Sequence, residues 1–291
     1  MVRNRLKVAV CIPTLEGARL WKELWAGLEA QTLRPSEVIV VDSASTDATA
    51  EIAEKCGCRV ITIPRTEFRH GGTRQLAAEL ASSADVIVYL TQDLVLSEAN
   101  ALARLVAAFD EPLVGAAYGR QLPRPGAKPI EAHARLFNYP ALSATRSLQS
   151  IGAVGFKAIF FSNSFGAYRR AALEEVGGFP RSSDFGEDTV VAARMLQQGW
   201  RIAYVAEALA YHSHAYSYKD EFRRYYKIGQ LHASEAWLLR EFGKTSGEGR
   251  RFAMSEIRYL AKYAPWKIPD AIARTGMKYL AYQRGIRNPR S

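Results

Sequence analysis

The stretch EVIVVDSASTDAT, residues 37–49, joins a short apolar run to a polar cluster and then to a helical pattern. Its uninterrupted Val and Ile residues indicate a strand that is buried on both faces, as in parallel sheets. The cluster from Asp42 to Asp47 supplies turn residues, and Thr46 or Asp47 is the expected N-cap of the following helix. The stretch therefore predicts one strand–helix unit of an α/β fold.

The same order of strand and helix recurs on both sides of this stretch. Further strands are predicted at residues 7–13, 59–64 and 85–90, and helices at 20–31, 48–56 and 71–81. From this alternation we predict an α/β fold with a mostly parallel central sheet flanked by helices. In such sheets, ligands bind at the carboxyl ends of the strands.

The alternation ends near residue 97, and the second half of the chain is less regular. It contains predicted helices at 97–109, 170–176 and 187–198, a strand-like run at 158–161 and a last strand at 201–212. We expect one domain from residue 1 to 214, made of halves 1–96 and 97–214, and a helical extension from 215 to 291. A chain of 291 residues suits one large domain with such an appendage.

The extension carries most of the excess positive charge. The net charge is +10, and residues 215–291 hold 16 Lys and Arg against 7 Asp and Glu, interspersed with Tyr and Trp. Such a segment suits an acidic partner surface, either anionic lipid or nucleic acid. Alternatively, its aromatic residues pack a helical subdomain. No apolar run approaches the length of a membrane-spanning helix. Three cysteines, which cannot all pair, favour free thiols in a reducing cytoplasm.

Polar residues follow three of the predicted strands. They are Pro13-Thr14 after the first, Asp42 to Asp47 after the second and Thr91-Gln92-Asp93 after the fourth. Capping and turn formation explain such clusters, but a carboxylate at the end of a central strand also faces the ligand crevice. Neither a Gly-x-Gly-x-x-Gly nor a Walker lysine loop occurs, which excludes these two modes of nucleotide binding.

Taken in order, these and later motifs resemble family 2 glycosyltransferases of GT-A fold. The motifs are Val38 to Thr49, Thr91-Gln92-Asp93, Ser162-Asn163-Ser164-Phe165, Gly186-Glu187-Asp188-Thr189 and Tyr211-His212-Ser213-His214. The ordered set, over about residues 7–215, is more specific than any single motif. Other details are similar to the bacterial rhamnosyltransferases of O-antigen and other surface polysaccharides, namely Glu67 to Arg74, the Thr-Gln-Asp itself, Tyr118-Gly119-Arg120-Gln121 and His212 to Tyr216.

The resemblance implies an inverting transferase that moves L-rhamnose from dTDP-β-L-rhamnose to a saccharide acceptor, expected to be lipid-linked. The halves 1–96 and 97–214 would serve nucleotide and acceptor respectively. Donor-binding roles are implied for Pro13, Thr14, Asp42, Ser45, Asp47, Arg74, Gln92 and Asn163. Asp188 would be the general base, and Glu187 would orient it or contact the acceptor. A divalent cation, Mg²⁺ or Mn²⁺, would be held by Asp93 together with His212 or His214.

The metal site departs from the family pattern. The family signature is Asp-x-Asp, and Thr91 stands where its first aspartate is expected, which leaves the metal dependence open. His212 and His214 are two residues apart at a strand end and share one face. They are equally compatible with metal binding and with a structural role.

Three other positions also have simpler explanations. Glu187 and Asp188 would complement the dipole of the helix that they begin. The pair Gly71-Gly72 permits close approach of the backbone to a ligand, or else forms a tight loop. Asn163, after the strand-like run, would bind donor or acceptor, or cap the next turn.

Two other functions are compatible with the sequence. One is a family 2 transferase with a UDP-sugar donor, and the other is a non-catalytic basic module that binds membrane or nucleic acid. A nucleic-acid partner is not expected, because Asp42, Asp93, Glu187 and Asp188 would be idle acids in such a module. We expect a cytoplasmic protein held peripherally on the inner face of the cytoplasmic membrane by its extension. The acceptor glycan, the linkage and the oligomeric state stay open.

Overall fold

The computed structural model describes residues 6–213, 215–243 and 245–289. The chain packs into two compact units. Unit 1 comprises Met1–Arg120, Ala141–Leu148 and Ile159–His212, and unit 2 comprises Gln121–Pro140, Gln149–Ala158 and Ser213–Ser291. The division expected from the sequence, with boundaries after residues 96 and 214, stays a prediction.

Nine strands of the described residues form one sheet. They are β1 (Val8–Thr14), β2 (Glu37–Asp42), β3 (Arg59–Thr62), β4 (Val86–Leu90), β5 (Val95–Leu96), β6 (Val114–Leu122), β7 (Ala144–Arg146), β8 (Phe165–Arg169) and β9 (Arg201–Tyr211). Their order across the sheet is β3-β2-β1-β4-β8-β6-β9-β5, and β7 pairs with β9.

Twelve α-helices occur in the described residues. They are α1 (Ala18–Glu29), α2 (Thr49–Lys55), α3 (His70–Leu80), α4 (Ala101–Ala107), α5 (Pro129–Asn138), α6 (Ile151–Val154), α7 (Arg170–Glu175), α8 (Glu187–Gln197), α9 (Tyr218–Ser234), α10 (Ala236–Phe242), α11 (Ser246–Tyr263) and α12 (Ile268–Arg287). Among the residues that the structure describes, no helix is both long enough and apolar enough to cross a membrane.

The four strands β3, β2, β1 and β4 are parallel, which confirms the alternation predicted from the sequence. The register places Thr14 beside Asp42 at the carboxyl ends of β1 and β2. All of β4 is buried, and helix α1 packs against this layer through Trp21, Leu24 and Leu28. The uninterrupted apolar strands are thus covered on both faces, as parallel strands require.

The second half differs from the prediction at the run 158–161. Residues Gly155–Ile159 form a 3₁₀ helix, and the strand is β8, which is antiparallel to β4 and pairs Phe165 with Leu90. Ser162-Asn163-Ser164 therefore precede a strand instead of following one. The prediction was wrong because a run of four apolar residues does not distinguish a buried strand from a buried turn. Strand β6, rich in Gly and Ala, was not predicted because these residues have low strand propensity.

Unit 2 contains a close crossing of α9 and α12. Gly229 and Gly285 lie at this crossing, and a Cβ atom at either position would collide with a backbone carbonyl of the other helix. Glycine therefore lets the two backbones touch. Beside the crossing, the hydroxyl of Tyr282 lies 3.0 Å from Nδ1 of buried His232. Some of the aromatic residues of the extension thus pack a helical unit, which was one of the two explanations considered for them.

Candidate active site

The candidate site is assembled at one edge of the sheet in unit 1. Strands β1, β2 and β4 are parallel and end at this edge, and the antiparallel β8 begins there. The polar clusters that follow the three strands are thereby brought near the Asn163 segment that precedes β8. A hydrogen bond of 3.3 Å from Thr91 N to the carbonyl of Ser164 joins the last two segments directly.

Asp42 is buried and organises the loop after β2. Its Oδ1 accepts hydrogen bonds from the hydroxyls of Thr14, at 3.0 Å, and Ser45, at 2.6 Å, and its Oδ2 accepts one from Ser45 N, at 2.8 Å. A carboxylate has about four acceptor positions, of which three are used here. Asp42 therefore holds the loop in shape, and its binding of a donor nucleotide stays a prediction.

The loops after β1 and β2 are bound to each other through Glu16. Its carboxylate accepts hydrogen bonds from Thr46 N and Oγ1, at 3.2 and 3.0 Å, from Asp47 N, at 3.2 Å, and from Arg65. Glu16 and Ala44 have φ angles of +48° and +52°, a left-handed conformation that is unfavourable for residues with a side chain. Such strain persists where surrounding bonds hold the backbone, and it is common at ligand sites.

Asp47 joins the same loops to two helices. Its Oδ2 accepts from Ala18 N at 3.1 Å, and its Oδ1 accepts from Thr49 N at 3.0 Å and from the Thr49 hydroxyl. The Thr49 hydroxyl is the largest cause that lowers the pKa of Asp47. The N-cap position of α2 belongs to Ala48, so the capping prediction for Thr46 or Asp47 was wrong by one or two residues. The acid instead binds the first amide inside the helix.

Gln92 holds the end of the β1 loop. Its side-chain amide donates to the carbonyl of Leu15 and accepts from Leu15 N, both at 2.9 Å. Pro13 lies in β1, in register with Val41 of β2. Both residues line the same edge as Asp42, but the amide of Gln92 is occupied by the backbone. Donor binding by Pro13 and Gln92 stays a prediction.

The glycine pair before Arg74 contacts the chain itself. A Cβ atom at Gly71 would collide with the carbonyl of Pro180, and one at Gly72 would lie 2.9 Å from the carbonyl of Arg181. Gly71 N also donates to the carbonyl of Ser183 at 2.8 Å. The backbone that closely approaches the two glycines is therefore the segment 180–183, where a ligand had been expected. This segment leads directly into α8, so the two glycines position α8 against α3.

A buried chain of polar side chains connects α3, α8 and β8. Nη1 of Arg74 lies 2.8 Å from Oε1 of Glu187, and Nδ2 of Asn163 donates to the same oxygen at 3.0 Å. The hydroxyl of Tyr168 donates to Oδ1 of Asn163 at 2.7 Å, which orients the amide. Arg74, Asn163 and Glu187 are each less than 10% exposed. Glu187 is thus a buried, ion-paired acid, so dipole complementation alone does not account for it.

Asp188 is the neighbouring acid and is partly exposed at the start of α8. Its carboxylate accepts from Thr189 N at 2.7 Å and from Asn163 N at 3.4 Å. Desolvation, and then the charge of Glu187, raise the pKa of Asp188 to about 6, against a lowering contribution from Arg74. A carboxylate with such a pKa is deprotonated at neutral pH and is still basic enough to accept a proton in a reaction.

Asp93 and His212 form the second pair of candidate groups. Oδ2 of Asp93 lies 3.3 Å from Nε2 of His212, which is buried. Two neighbouring ligands of an octahedral Mg²⁺ ion are about 3 Å apart when each lies about 2.1 Å from the metal. Mg²⁺ commonly uses only one or two protein ligands, together with water and substrate phosphates. The carboxylate and the imidazole therefore fit a divalent cation.

The predicted metal site has fewer ligand side chains than the family pattern. In the described part of the chain, no cluster of three or more His, Cys, Asp or Glu side chains has the geometry of a metal site. His214 lies outside the described residues. The hydroxyl of Thr91, at the position of the first aspartate of the signature, is buried and has no hydrogen-bond partner in the described structure.

Three members of the site were not predicted from the sequence. Glu16 and Arg65 bind the loops after β1 and β2, and Tyr168 orients Asn163. Glu16 lies two residues after the predicted Pro13-Thr14 segment, and Tyr168 lies three residues after the Ser-Asn-Ser-Phe motif, so proximity to motifs was the available signal. Arg65 lies two residues before the Glu67 to Arg74 stretch, but its partners Glu16 and Ala44 are in two other loops.

Comparison with known proteins was made for the sequence and for the fold. Residues 9–177 match the family model described as "Glycosyl transferase family 2". The chain is 43% identical, over 96% of its length and 90% of the relative, to O-antigen chain rhamnosyltransferase RfbN of Salmonella typhimurium. It is 44% identical to O-antigen chain rhamnosyltransferase WbaN of Salmonella anatum, over 94% of its length and 87% of the relative.

Solved structures of lower sequence identity share the fold. The mannosyltransferase PcManGT of Pyrobaculum calidifontis, in complex with GDP-Man and Mn²⁺, has a TM-score of 0.62 at 23% identity, covering 96% of this chain and 76% of that one. TarS of S. aureus in complex with UDP-GlcNAc has a TM-score of 0.59 at 18% identity, covering 97% and 91%. These likenesses confirm the predicted GT-A fold.

Proposed function

The chain belongs to glycosyl transferase family 2, and on this basis we propose that it transfers L-rhamnose from a nucleotide-sugar donor to a saccharide acceptor in the synthesis of a cell-surface polysaccharide. The observation that carries the proposal is the identity of 43–44% to two O-antigen chain rhamnosyltransferases, which extends over most of both chains. The polar network around Asp188 supports it, because this network supplies the base that such a transfer requires.

We propose Asp188 as the general base. The acceptor hydroxyl gives its proton to the Asp188 carboxylate as its oxygen attacks the anomeric carbon, and this single displacement inverts the configuration there. Arg74 and Asn163 both bind Oε1 of Glu187. Its negative charge next to Asp188 makes Asp188 a stronger base. Tyr168 acts indirectly, because it fixes the side-chain amide of Asn163.

The donor is proposed to be dTDP-β-L-rhamnose, bound at the carboxyl ends of β1 and β2. The remaining acceptor position of Asp42 suits an N–H of the base. The strained loops that contain Glu16 and Ala44 would present backbone groups to the nucleoside. Arg74 has a buried Nε without a hydrogen-bond partner in the described structure, in addition to its bond with Glu187. This atom supports the predicted position of Arg74 near the donor.

A divalent cation would be held by Asp93 and His212, with Mg²⁺ and Mn²⁺ as the proposed occupants. When bound, such an ion neutralises the negative charge of the leaving diphosphate. His212 is restrained for this role by its position directly after β9. The acceptor is proposed to be lipid-linked, which would place the reaction at the cytoplasmic face of the membrane.

Calorimetric binding of dTDP, UDP and GDP, with and without Mn²⁺, tests the donor. We expect the tightest binding for dTDP and a gain in affinity with Mn²⁺. A preference for UDP would replace the proposed donor by a UDP-sugar. Transfer from dTDP-rhamnose and from UDP-N-acetylglucosamine to a soluble saccharide acceptor then tests the reaction. The absence of binding to all three nucleotides, together with salt-sensitive binding to nucleic acid, would overturn the assignment as an enzyme.

A further inference from the structure

Helix α12 has an unusual outward face. Most exposed residues of a surface helix are polar or charged, as in α9, where Lys219, Asp220, Arg223 and Arg224 are exposed. Between residues 268 and 280 of α12, by contrast, no exposed residue carries a charge. The exposed residues there are Pro269, Ile272, Ala273, Gly276, Tyr279 and Leu280. We call these six residues the outward face of α12.

The large side chains of this face project into solvent. Ile272, Tyr279 and Leu280 are 57%, 63% and 62% exposed. Tyr279 and Leu280 lie seven and eight residues after Ile272, so all three are on one face of the helix. Just before α12, Trp266 in a short turn is 72% exposed, and Tyr263, the last residue of α11, is 55% exposed. Neighbouring apolar side chains in such numbers mark a surface that binds a partner or a membrane.

The charges along the chain on both sides of this face are mostly positive. Between residues 250 and 289, all of which the structure describes, nine Lys and Arg residues stand against two acids. One acid, Glu256, is buried, and the other, Asp270, accepts hydrogen bonds from Tyr218 and Arg274. Exposed bases flank the face, with Arg258 and Lys262 on α11 and Arg284 and Arg287 in the last turns of α12. An occupant of the face therefore has to be apolar at its centre and negatively charged at its border.

We propose that the outward face of α12, with Trp266 and Tyr263, docks on the surface of a bilayer that contains anionic lipids. Tyr and Trp are the residues that favour the interface between lipid headgroups and acyl chains, and Lys and Arg interact with anionic headgroups at its border. The helix lies in the plane of the interface, as its length of about 30 Å and its one-sided apolar stripe permit.

A second copy of this chain is the competing occupant, and it fits less well. In a symmetric dimer the same face would meet itself, which would bring the flanking Arg and Lys residues of both copies together. Like charges at such a border repel each other. Docking rests on the proposed function only in that a lipid-linked acceptor would lie at the same membrane surface. Vesicle binding tests docking without any catalytic step.

Co-sedimentation of the full chain with phosphatidylcholine vesicles, with and without phosphatidylglycerol, tests the docking. We expect binding to the vesicles that contain phosphatidylglycerol and a decrease in binding as salt is raised. The variant Ile272→Gln/Tyr279→Ser/Leu280→Gln should bind at least about tenfold more weakly, because it removes most of the apolar contact. It should keep its fold, since all three side chains are exposed.

Two matched variants separate the contribution of the apolar face from that of exposed leucines elsewhere and from that of the flanking charges. Leu113→Gln/Leu142→Gln removes exposed leucines, 47% and 80% exposed, outside this face and should bind vesicles like the unaltered chain. Arg284→Gln/Arg287→Gln keeps the apolar face and should lose part of the preference for anionic vesicles. Equal vesicle binding by the triple variant and the unaltered chain would overturn the proposal. So would a dimer, detected by sedimentation velocity without lipid, that the triple substitution dissociates.

Discussion

The substitution Asp188→Asn should abolish transfer and at the same time stabilise the protein. The loss of activity follows from the loss of the proposed base, for which a reduction of roughly 10²–10⁴-fold in kcat is expected. The gain in stability follows from the same property that makes Asp188 a base. Its ionised form is desolvated and lies beside Glu187, so the folded state is less stable at neutral pH than it would be with an uncharged side chain there.

The magnitude can be worked out from the pKa of Asp188. Folding raises this pKa from 3.8 to about 6, and each pKa unit corresponds to about 1.4 kcal/mol. At pH 7 the ionised carboxylate therefore costs about 3 kcal/mol of folding free energy. Asn has one acceptor oxygen and loses the hydrogen bond with Thr189 N or with Asn163 N, which is worth about 1 kcal/mol. The expected net gain at pH 7 is about 1–2 kcal/mol.

The expected gain in stability of Asp188→Asn depends on pH. Because the pKa is raised in the folded state, the unfavourable contribution is absent below about pH 3.8 and complete above about pH 6. The advantage of Asp188→Asn should therefore be present at pH 7 and nearly absent at pH 4. Urea unfolding at both pH values, with dTDP binding as a check of the donor site, measures it. Retained activity would refute the base assignment, and an equal or lower stability at pH 7 would refute the electrostatic explanation.

Three further changes have expected outcomes. The kcat/KM of the unaltered enzyme should fall as the pH drops through about 6. The substitution Glu187→Gln should move this fall to lower pH, because the charge of Glu187 helps to raise the pKa of Asp188. A pH profile that does not move would contradict this role of Glu187. Asp93→Asn should raise the Mn²⁺ concentration for half-maximal activity at least about tenfold, and an unchanged metal titration would remove Asp93 from the site. Gly71→Ala should lower the free energy of unfolding by about 1–3 kcal/mol, because its methyl group collides with the Pro180 carbonyl, whereas Gly276→Ala, in open space, should not.

The parallel half of the fold was predictable because its signals are local. The apolar runs of β1, β2 and β4 are uninterrupted and bounded by turn residues, and a helical pattern separates each of the four strands β1 to β4 from the next. The polar cluster at Asp42 was recognisable for the same reason, since it follows directly on its strand. Strands β6 and β8 lacked such signals. Their Gly and Ala residues form strands because neighbouring strands supply the hydrogen-bond partners, as Tyr118 and Gly166 do for each other.

The amino-acid sequence by itself determined the fold class, the family and the acids at positions 42, 93, 187 and 188. What each acid does was decided only by the tertiary structure. Arg74 and Glu187 form an ion pair because the segment 180–183 packs on Gly71 and Gly72. No local sequence pattern predicts this contact. The raised pKa of Asp188 likewise follows from desolvation beside a neighbouring charge. The physical reason is that the apolar and turn patterns that predict strands and helices are carried by neighbours along the chain, whereas desolvation and ion pairing depend on neighbours in space.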